Sequence, residues 1–335
     1  MTRRPKLETV AKSAGVSVAT ASQVMRGAGR ISDKTRKKVL EAARKLNYVP
    51  DGRAASMRSG ESREIGFTIH QIANPFNAEV ISGLSDLLET EGYLVSVLDS
   101  QDDPDRQRRQ LEAFIRSSRG GLLWVPAKGT PNSTLELLRT HNTPTVTFLR
   151  RAQASEFDHV GIRNLDATKT ATEYLLGLGH THIAFLGGVA NVEVRNERIA
   201  GYKEALEDRG MNNSVVWESQ DDKLAGMNAM TALKKAHPEV TSVVCNGDMV
   251  AIGACLALFR MGLTPGKDVS VIGFDDIQDA AVATPPLTTM AVSPRQLGRR
   301  LARVLLERMK EPDLPVTSSE VTAELVVRET TGAPI

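Results

Sequence analysis

From Glu64 onward, short apolar runs alternate with helical patterns, and this strand-then-helix repeat constrains the fold more than any other feature of the chain. The runs Ile65–Ile69, Tyr93–Leu98, Gly121–Val125 and Thr145–Phe148 are separated by helical periodicity near 77–91, 105–118 and 133–141. A second set has runs at His182–Leu186, Val215–Glu218, Ser242–Cys245 and Val269–Phe274, with helices near 166–179, 196–209, 222–236 and 248–261. A strand followed by a helix and another strand returns parallel to the first, with helices covering both faces of the sheet. Two such sets predict an α/β body of two doubly wound parallel-sheet lobes, and two lobes make a cleft. The tail, with Leu287–Met290, a helix at 294–310, Val316–Val321 and Glu324–Val327, is too small for a domain and is expected to cross back between lobes.

The first sixty residues do not share this pattern, and they do not share its charge. The chain has 335 residues, roughly twice a usual single domain. Its net charge of +2 conceals a division near Gly60: residues 1–60 hold 14 Lys and Arg against 4 Asp and Glu, leaving 28 against 36 for the rest. A small basic head on an acidic body points to a polyanion partner for the head alone. A solvated basic face is the plainer reading of any charge run, and only a fold motif in the same segment favours the first. With 41% hydrophobic and 24% charged residues the composition is that of a soluble globular protein, and no apolar run is long enough to cross a bilayer. Met1–Lys6 is basic and leads into a polar helical pattern rather than an export leader, so the cytoplasm is the expected compartment. Cys245 and Cys255 fall on a buried strand and the following helix and read as core residues, with no disulfide framework or four-ligand metal site.

The head carries the motif. Leu7, Val10, Ala11 and Ala14 recur at helical spacing; Gly15, Val16 and Ser17 then supply a left-handed stop, an apolar plug and an N-cap. A second helix from Val18 to about Met25 turns Ala21 and Val24 inward and leaves Ser17, Val18, Ala19, Thr20, Ser22 and Gln23 to face outward. Gly27 and Gly29 end it. Ser32 caps a third helix, whose Val39, Leu40, Ala43 and Leu46 are expected to cover the first two, with Arg30, Lys34, Arg36, Lys37 and Lys38 around its entry. This is a helix-turn-helix layout: one helix for the major groove, surrounding cations for phosphates.

Leu7 to Arg58, through VAKSAGVSVATASQVM and ISDKTRKKVLEAARKLNYVPD, resembles the DNA-binding headpiece of the LacI/GalR family of bacterial transcription regulators. The resemblance implies base-edge contact from Val18, Ala19 and Gln23, and phosphate or groove-edge contact from Thr20, Ser22 and Asn47. Val18 and Ala19 have no side-chain hydrogen bond to offer and would read a thymine methyl, a weaker discriminator than a bidentate amide. The segment DGRAASMRSG is too short for a stable helix in water. In the family it is a hinge that folds on the operator and wedges an apolar side chain into the minor groove. Met57 stands where the family usually has Leu, Ala54 accompanies it, and Arg53 and Arg58 would follow the phosphates or groove floor.

The body resembles the periplasmic-binding-protein-like core of the same family, to about Thr330. The resemblance and the pattern together divide the chain into a headpiece (1–49), a hinge or linker (50–62), an N-lobe (63–161 with 291–321) and a C-lobe (162–290 with 322–331). Ligands of such sheets bind beyond the carboxyl ends of the strands. There lie Asn74-Pro75-Phe76-Asn77, Arg150, Arg198, Asp221 and Asp275. By resemblance Arg198 and Asp275 grip polar groups of an effector and Phe76 stacks on a ring; Asn77, Arg150 and Asp221 complete the candidate set. Such groups suit sugar hydroxyls, or an anionic group on a sugar. The plainer alternatives are that Arg198 and Asp275 pair across the lobes and that Phe76 is core. Leu149 stands where the family often has Asp, and Gly247-Asp248 replaces a common Asn-Asp, which weakens a monosaccharide assignment.

Catalysis lacks a constellation: there is no Gly-x-Ser-x-Gly elbow, no phosphate-cradling loop ending in Lys-Ser/Thr and no His-Glu-x-x-His. His180 and His182 read as structural, Trp124 as core, and the adjacent pairs Asp275-Asp276 and Asp102-Asp103 as divergent. No cofactor or metal is implied. The first reading is therefore a dimeric regulator, a repressor by preference, that binds double-stranded operator DNA under control of a small molecule. A sugar-binding protein with a vestigial headpiece and an architectural DNA binder without an effector are the alternatives.

Overall fold

The computed structural model describes residues 5–50, 62–117, 120–152 and 156–335. The chain divides into two compact units, residues 1–61 and 62–335. Arg53, Ala54, Met57 and Arg58 lie outside the described residues.

In the first unit α1 (Leu7–Ala14), α2 (Val18–Met25) and α3 (Asp33–Lys45) close around Val10, Ala11, Ala21, Val24, Val39, Ala42 and Ala43. Gly15 takes the left-handed conformation, φ 67°, and lets the Val16 amide turn back to the Ala11 carbonyl at 3.0 Å. Ser17 then caps α2, its hydroxyl accepting from the Thr20 amide at 3.1 Å, and Ser32 caps α3 in the same way from Thr35 at 3.3 Å. One expectation fails: Leu40 is exposed and Ala42 is buried in its place. The spacing is the reason, because Val39, Ala42, Ala43 and Leu46 already make an i, i+3, i+4, i+7 stripe and Leu40 lies beside it.

The second unit holds two six-stranded sheets. The first is built from β1 (Glu64–Ile69), β2 (Leu94–Asp99), β3 (Leu122–Trp124), β4 (Thr145–Phe148), β5 (Asp158–Ile162) and β11 (Ser318–Val321), in the order β11-β5-β4-β3-β1-β2, all parallel. The second is built from β6 (Ile183–Leu186), β7 (Val215–Trp217), β8 (Ser242–Cys245), β9 (Ser270–Asp275), β10 (Thr288–Ala291) and β12 (Glu324–Val326), in the order β12-β10-β9-β8-β6-β7. Among the described residues, its β10–β12 pairing alone is antiparallel. Helices α4 (Pro75–Thr90), α5 (Pro104–Ser117) and α6 (Asn132–Thr140) belong to the first sheet; α7 (Asn164–Gly177), α8 (Glu193–Glu207), α9 (Lys223–Ala236), α10 (Asp248–Arg260) and α11 (Gln278–Val282) to the second. After β10 the chain returns through α12 (Pro294–Lys310) onto α4, adds β11 to the first sheet and crosses again to place β12 in the second.

Strand β5 and helix α11 are absent from the sequence reading. Strand β5 was masked by its own composition: Asp158 is buried, and its carboxylate accepts from Arg308 at 2.7 and 3.0 Å and from the Thr317 amide at 2.7 Å. An ionised residue is buried when paired and hydrogen-bonded, and periodicity cannot see the partner from 150 residues away.

Candidate functional site

In both sheets the strand order reverses beside the first strand, between β1 and β3 and again between β6 and β8. Such switch points open a crevice at the carboxyl ends of the strands. A cavity of about 460 Å³ lies there, lined by both lobes, and its size is that of a small-molecule site. His70 follows β1, Asp102 follows β2 and Arg150 follows β4; Asp221, Asn246 and Asp275 stand at the ends of β7, β8 and β9.

Arg198, on the inward face of α8, is 5% exposed. Its guanidinium carbon sits 3.6 Å above the centre of the Phe274 ring, its Nε donates to Asn164 Oδ1 at 2.9 Å, and Nη1 donates to the Asn246 carbonyl. Asn246 passes the order on, donating from Nδ2 to Asp221 at 2.8 Å. Arg198 and Asp275 both come from the second lobe and form no ion pair with one another among the described contacts, so pairing across the lobes is not their role. Burial pushes the Asp275 carboxyl well above its ordinary range, against the pull of Arg198, with Asp248 and Asp221 adding to the rise. Burial likewise raises Asp221, opposed by the Asn246 hydrogen bond and by Arg198.

On the facing wall Arg150 pairs with Asp102 at 2.5 Å and reaches the Pro126 carbonyl at 3.3 Å. Burial pushes the Asp102 carboxyl up, but the Arg150 bond and charge and the Lys128 amide outweigh it and hold it low. His70 is pushed down to about 4, chiefly by burial, with Arg150 adding and Asp102 opposing; it is neutral at ordinary pH. Gln101, Asp102, Leu149 and Asp275 have positive φ of 52°, 57°, 59° and 117°. Non-glycine residues in this region are held by their surroundings, and such strain gathers at functional sites. Two hydrogen bonds join the lobes at the rims of the cleft, Gln278 N to Glu79 at 3.1 Å and Arg151 N to Glu193 at 3.0 Å.

Of the residues singled out from sequence, Phe76, Arg150, Arg198, Asp221 and Asp275 line the cavity and Asn77 does not. Asn77 is fully buried and donates to the Gln71 carbonyl at 2.7 Å, tying down the loop before α4. Asn74 caps that helix through the Phe76 amide at 3.0 Å, which turns Asn77 beneath the loop instead of toward the cleft. Phe76 serves two surroundings, stacked on Phe148 (6.4 Å, 5° between planes) and edging the cavity. Sequence reasoning missed His70, Arg195 and Asn246, and weighed Asp102 only as half of an adjacent carboxylate pair. His70 and Asn246 directly follow strands and Asp102 comes three residues after β2, so strand ends were the available signal; Arg195 shares the inward face of α8 with Arg198. Trp124 is core, its indole donating to Gln107 at 2.8 Å, and His180 is tied to Thr241 and the Gly332 carbonyl at 2.8 and 2.9 Å.

In the headpiece, Val18 is 45% exposed, Ala19, Gln23, Arg30, Lys34 and Asn47 are also exposed, and Thr20 and Ser22 are half-buried. Ser17 and Thr20 are engaged with each other at 2.9 Å in the cap, and Asn47 (φ 47°) ends α3.

Residues 6–51 match the family model described as bacterial regulatory proteins, lacI family, and residues 172–331 match a periplasmic binding protein-like domain. The HTH-type transcriptional repressor PurR of Haemophilus influenzae (strain PittEE) is 30% identical over 328 residues, covering 96% of this chain and 97% of that protein. The chain belongs to the lacI family of bacterial regulatory proteins. Among its family relatives, the maltose regulon regulatory protein MalI of Escherichia coli (strain K12) is 28% identical over 331 residues, 96% of this chain and 97% of MalI. The solved Lac repressor bound to ONPG in a repressed state superposes with a TM-score of 0.85 at 25% identity, over 98% of this chain and 100% of that one. A complex of the regulator CelR with cellobiose gives a TM-score of 0.73 at 27% identity, over 98% and 100%. Like the family, this protein is a DNA-binding transcriptional regulator with an effector-binding body.

Proposed function

We propose that the protein is a homodimeric repressor in the cytoplasm that binds a two-fold-related operator through paired headpieces and is controlled by a sugar or sugar derivative held between the lobes of each body. The observation that carries the reading is the cavity at the strand ends of both lobes, where buried Arg198 and Asp275 face a space of about 460 Å³. The working division is a headpiece (1–49), a hinge (50–62) and two lobes (63–161 with 291–321; 162–290 with 322–331).

The recognition helix α2 offers its outward side chains to base edges, while Arg30, Lys34 and neighbouring cations meet phosphates. One short helix gives little discrimination, and two half-sites multiply it. Ligand between the lobes favours one lobe arrangement; to act as a switch it must distinguish the two arrangements by about 1–3 kcal/mol. The role is binding, not catalysis. In support, the adjacent carboxylates diverge: Asp276 pairs with Arg328 at 2.7 Å while Asp275 faces the cavity, and Asp103 accepts from the amides opening α5 at 2.8 and 2.9 Å while Asp102 pairs with Arg150. Small-angle scattering of the full chain with a duplex from its own upstream DNA tests the assembly. Two chains on one duplex are expected; a monomer at micromolar concentration, unmoved by the duplex, rejects the reading.

A further inference from the structure

Arg195 lines the cleft with much of its guanidinium unused. Its Nε donates to the Gly187 carbonyl at 2.9 Å, and among the described contacts Nη1 and Nη2 have neither a hydrogen-bond partner nor an ion pair. Arg195 is 7% exposed, and a cation taken out of water without a counterion is costly. Burial lowers its pKa, opposed by the charges of Glu218 and Asp221, but arginine stays protonated. Those two carboxylates are engaged elsewhere: Glu218 accepts from the Ala190 amide at 2.9 Å and Asp221 from Asn246 at 2.8 Å. The place of the side chain is fixed by the backbone beneath it. Gly188, at φ 74°, leaves room for the arginine stem, and a methyl there would come within 2.6 Å of Cδ and 2.9 Å of Cγ. Supporting the Gly187 loop takes one N–H; the pair at the end of the guanidinium is left over.

Five aspartates line the same cavity, yet few of them oppose an anion. Asp102 is paired with Arg150, Asp222 caps α9 through the Ala225 amide at 2.8 Å, and Asp99 accepts from the Gln101 amide at 3.3 Å. Burial pushes the Asp275 carboxyl well up and so favours its uncharged, donating form. Asp221 is drawn by Arg150, Arg195 and Arg198 at once, so guanidinium groups of both lobes act on this one carboxylate. Arg150 spends Nη1 on Asp102 and the Pro126 carbonyl, and its Nε and Nη2 have no hydrogen-bond partner among the described contacts. Two N–H groups of one guanidinium match two oxygens of a carboxylate or phosphate. A hydroxyl accepts from one of them and leaves the charge uncompensated, and an ammonium meets Arg195 as a like charge.

We propose that Arg195 is a specificity-determining residue of the cleft, its Nη1 and Nη2 taking a carboxylate or phosphate of the effector end-on, so that the effector is a small organic acid or phosphate ester. This rests on reading the cleft as the effector site.

The test is a thermal-shift titration of the full-length protein with matched probes: glucose, glucuronate and glucose 6-phosphate; ribose and ribose 5-phosphate; glycerol, glycerate and glycerol 3-phosphate. The headpiece also offers cations to anions, so each probe is read in wild type and in Arg195 variants, which share that headpiece. In at least one set the acid or the phosphate ester is expected to bind about tenfold or more tighter than its uncharged counterpart, and the two arms tell carboxylate from phosphate. Arg195→Gln should bring that ratio near one. Arg195→Lys keeps the stem and the charge without the fork, and should lower the ratio at least about threefold, which carries the test should Arg195→Gln not fold. A side chain that merely supports the Gly187 loop would change Tm and leave the ratio alone. An uncharged probe that equals or outbinds its anions, or a preference that survives both Arg195 variants, overturns the inference while leaving the cleft as the effector site. Silence across the panel, or a response untouched by Arg198→Ala, counts against the cleft reading and the inference with it.

Discussion

Arg198 is the residue at which the proposed effector response and the stability of the second lobe meet in one side chain. Removing it strips the Phe274 face, frees two acceptors and leaves Asp275 and Asp221 without their nearest compensating charge. Arg198→Ala should abolish the effector's influence on operator binding while leaving effector-free operator affinity within a few-fold of wild type in a fluorescence titration; equal loss of both would refute its assignment. Two other buried groups give opposite pH signatures. His159 is pushed down to about 4, mainly by burial, with Arg151 adding, so the unfolded chain takes a proton below about 6.5 that the folded chain refuses until about 4. Its contribution therefore falls away as pH drops through that window. Asp248 is pushed up to about 7 by burial, against the hydrogen bonds from Thr289 and the Ile277 amide, so its contribution is complete below about 3.8 and is lost as pH rises through about 7. Melting curves should show His159→Gln reducing the acid loss of stability and Asp248→Asn removing the loss of stability that accompanies rising pH between about 4 and 7. A swap of the two effects would contradict the placement of these groups.

At the scale of elements, helix pairs are brought together by glycine. A methyl on Gly83 of α4 would overlap the Arg295 carbonyl, and one on Gly298 of α12 the Val80 carbonyl, so the return helix sits on α4 at backbone contact. Gly83→Ala should cost about 1–3 kcal/mol or more in chemical denaturation, because backbone cannot yield as a side chain can. Gly177→Ala, at an exposed position of α7 with nothing near the new methyl, should be neutral or stabilising by about 0.5–1 kcal/mol. In α2 the outward side chains and the surrounding cations separate experimentally: Gln23→Ala should lower specific over nonspecific binding, by about 1–3 kcal/mol, whereas Lys34→Ala should weaken all sequences alike and reduce the salt slope by about one. The elements that were legible in sequence were those whose burial is local in pattern: the three headpiece helices with their Ser17 and Ser32 caps, and the apolar strands. Strand β5 was illegible because Asp158 is paired with Arg308 and hydrogen-bonded by Thr317, far along the chain. Asn77 was misplaced because strand-end position says that a loop borders the cleft but not which side chain turns into it. His70 and Asn246 followed the same rule and went unmarked, since a lone polar residue after a strand carries no motif, and Asp102 was weighed only for acid–base chemistry with Asp103.

Across the whole molecule, a basic three-helix unit and an acidic two-lobed body divide the work of a regulator between them. The chain passes between the sheets after β5, after β10 and after β11, so the lobes are tied at three points and can move chiefly as rigid bodies about them. Glu79 and Glu193 bridge the lobes through backbone amides of the opposite lobe, which gives this lobe arrangement two hydrogen bonds to lose if the lobes move. This body governs a headpiece that grips duplex DNA by charge and reads it by sequence. Anisotropy titration of a duplex from the protein's own upstream region, against a scrambled duplex, across about 50 to 200 mM salt addresses it most directly. The expected result is affinity that falls by about 10³–10⁵ over that range while the cognate duplex stays preferred throughout; absence of binding at the lowest salt, or affinity indifferent to both salt and sequence, would contradict it.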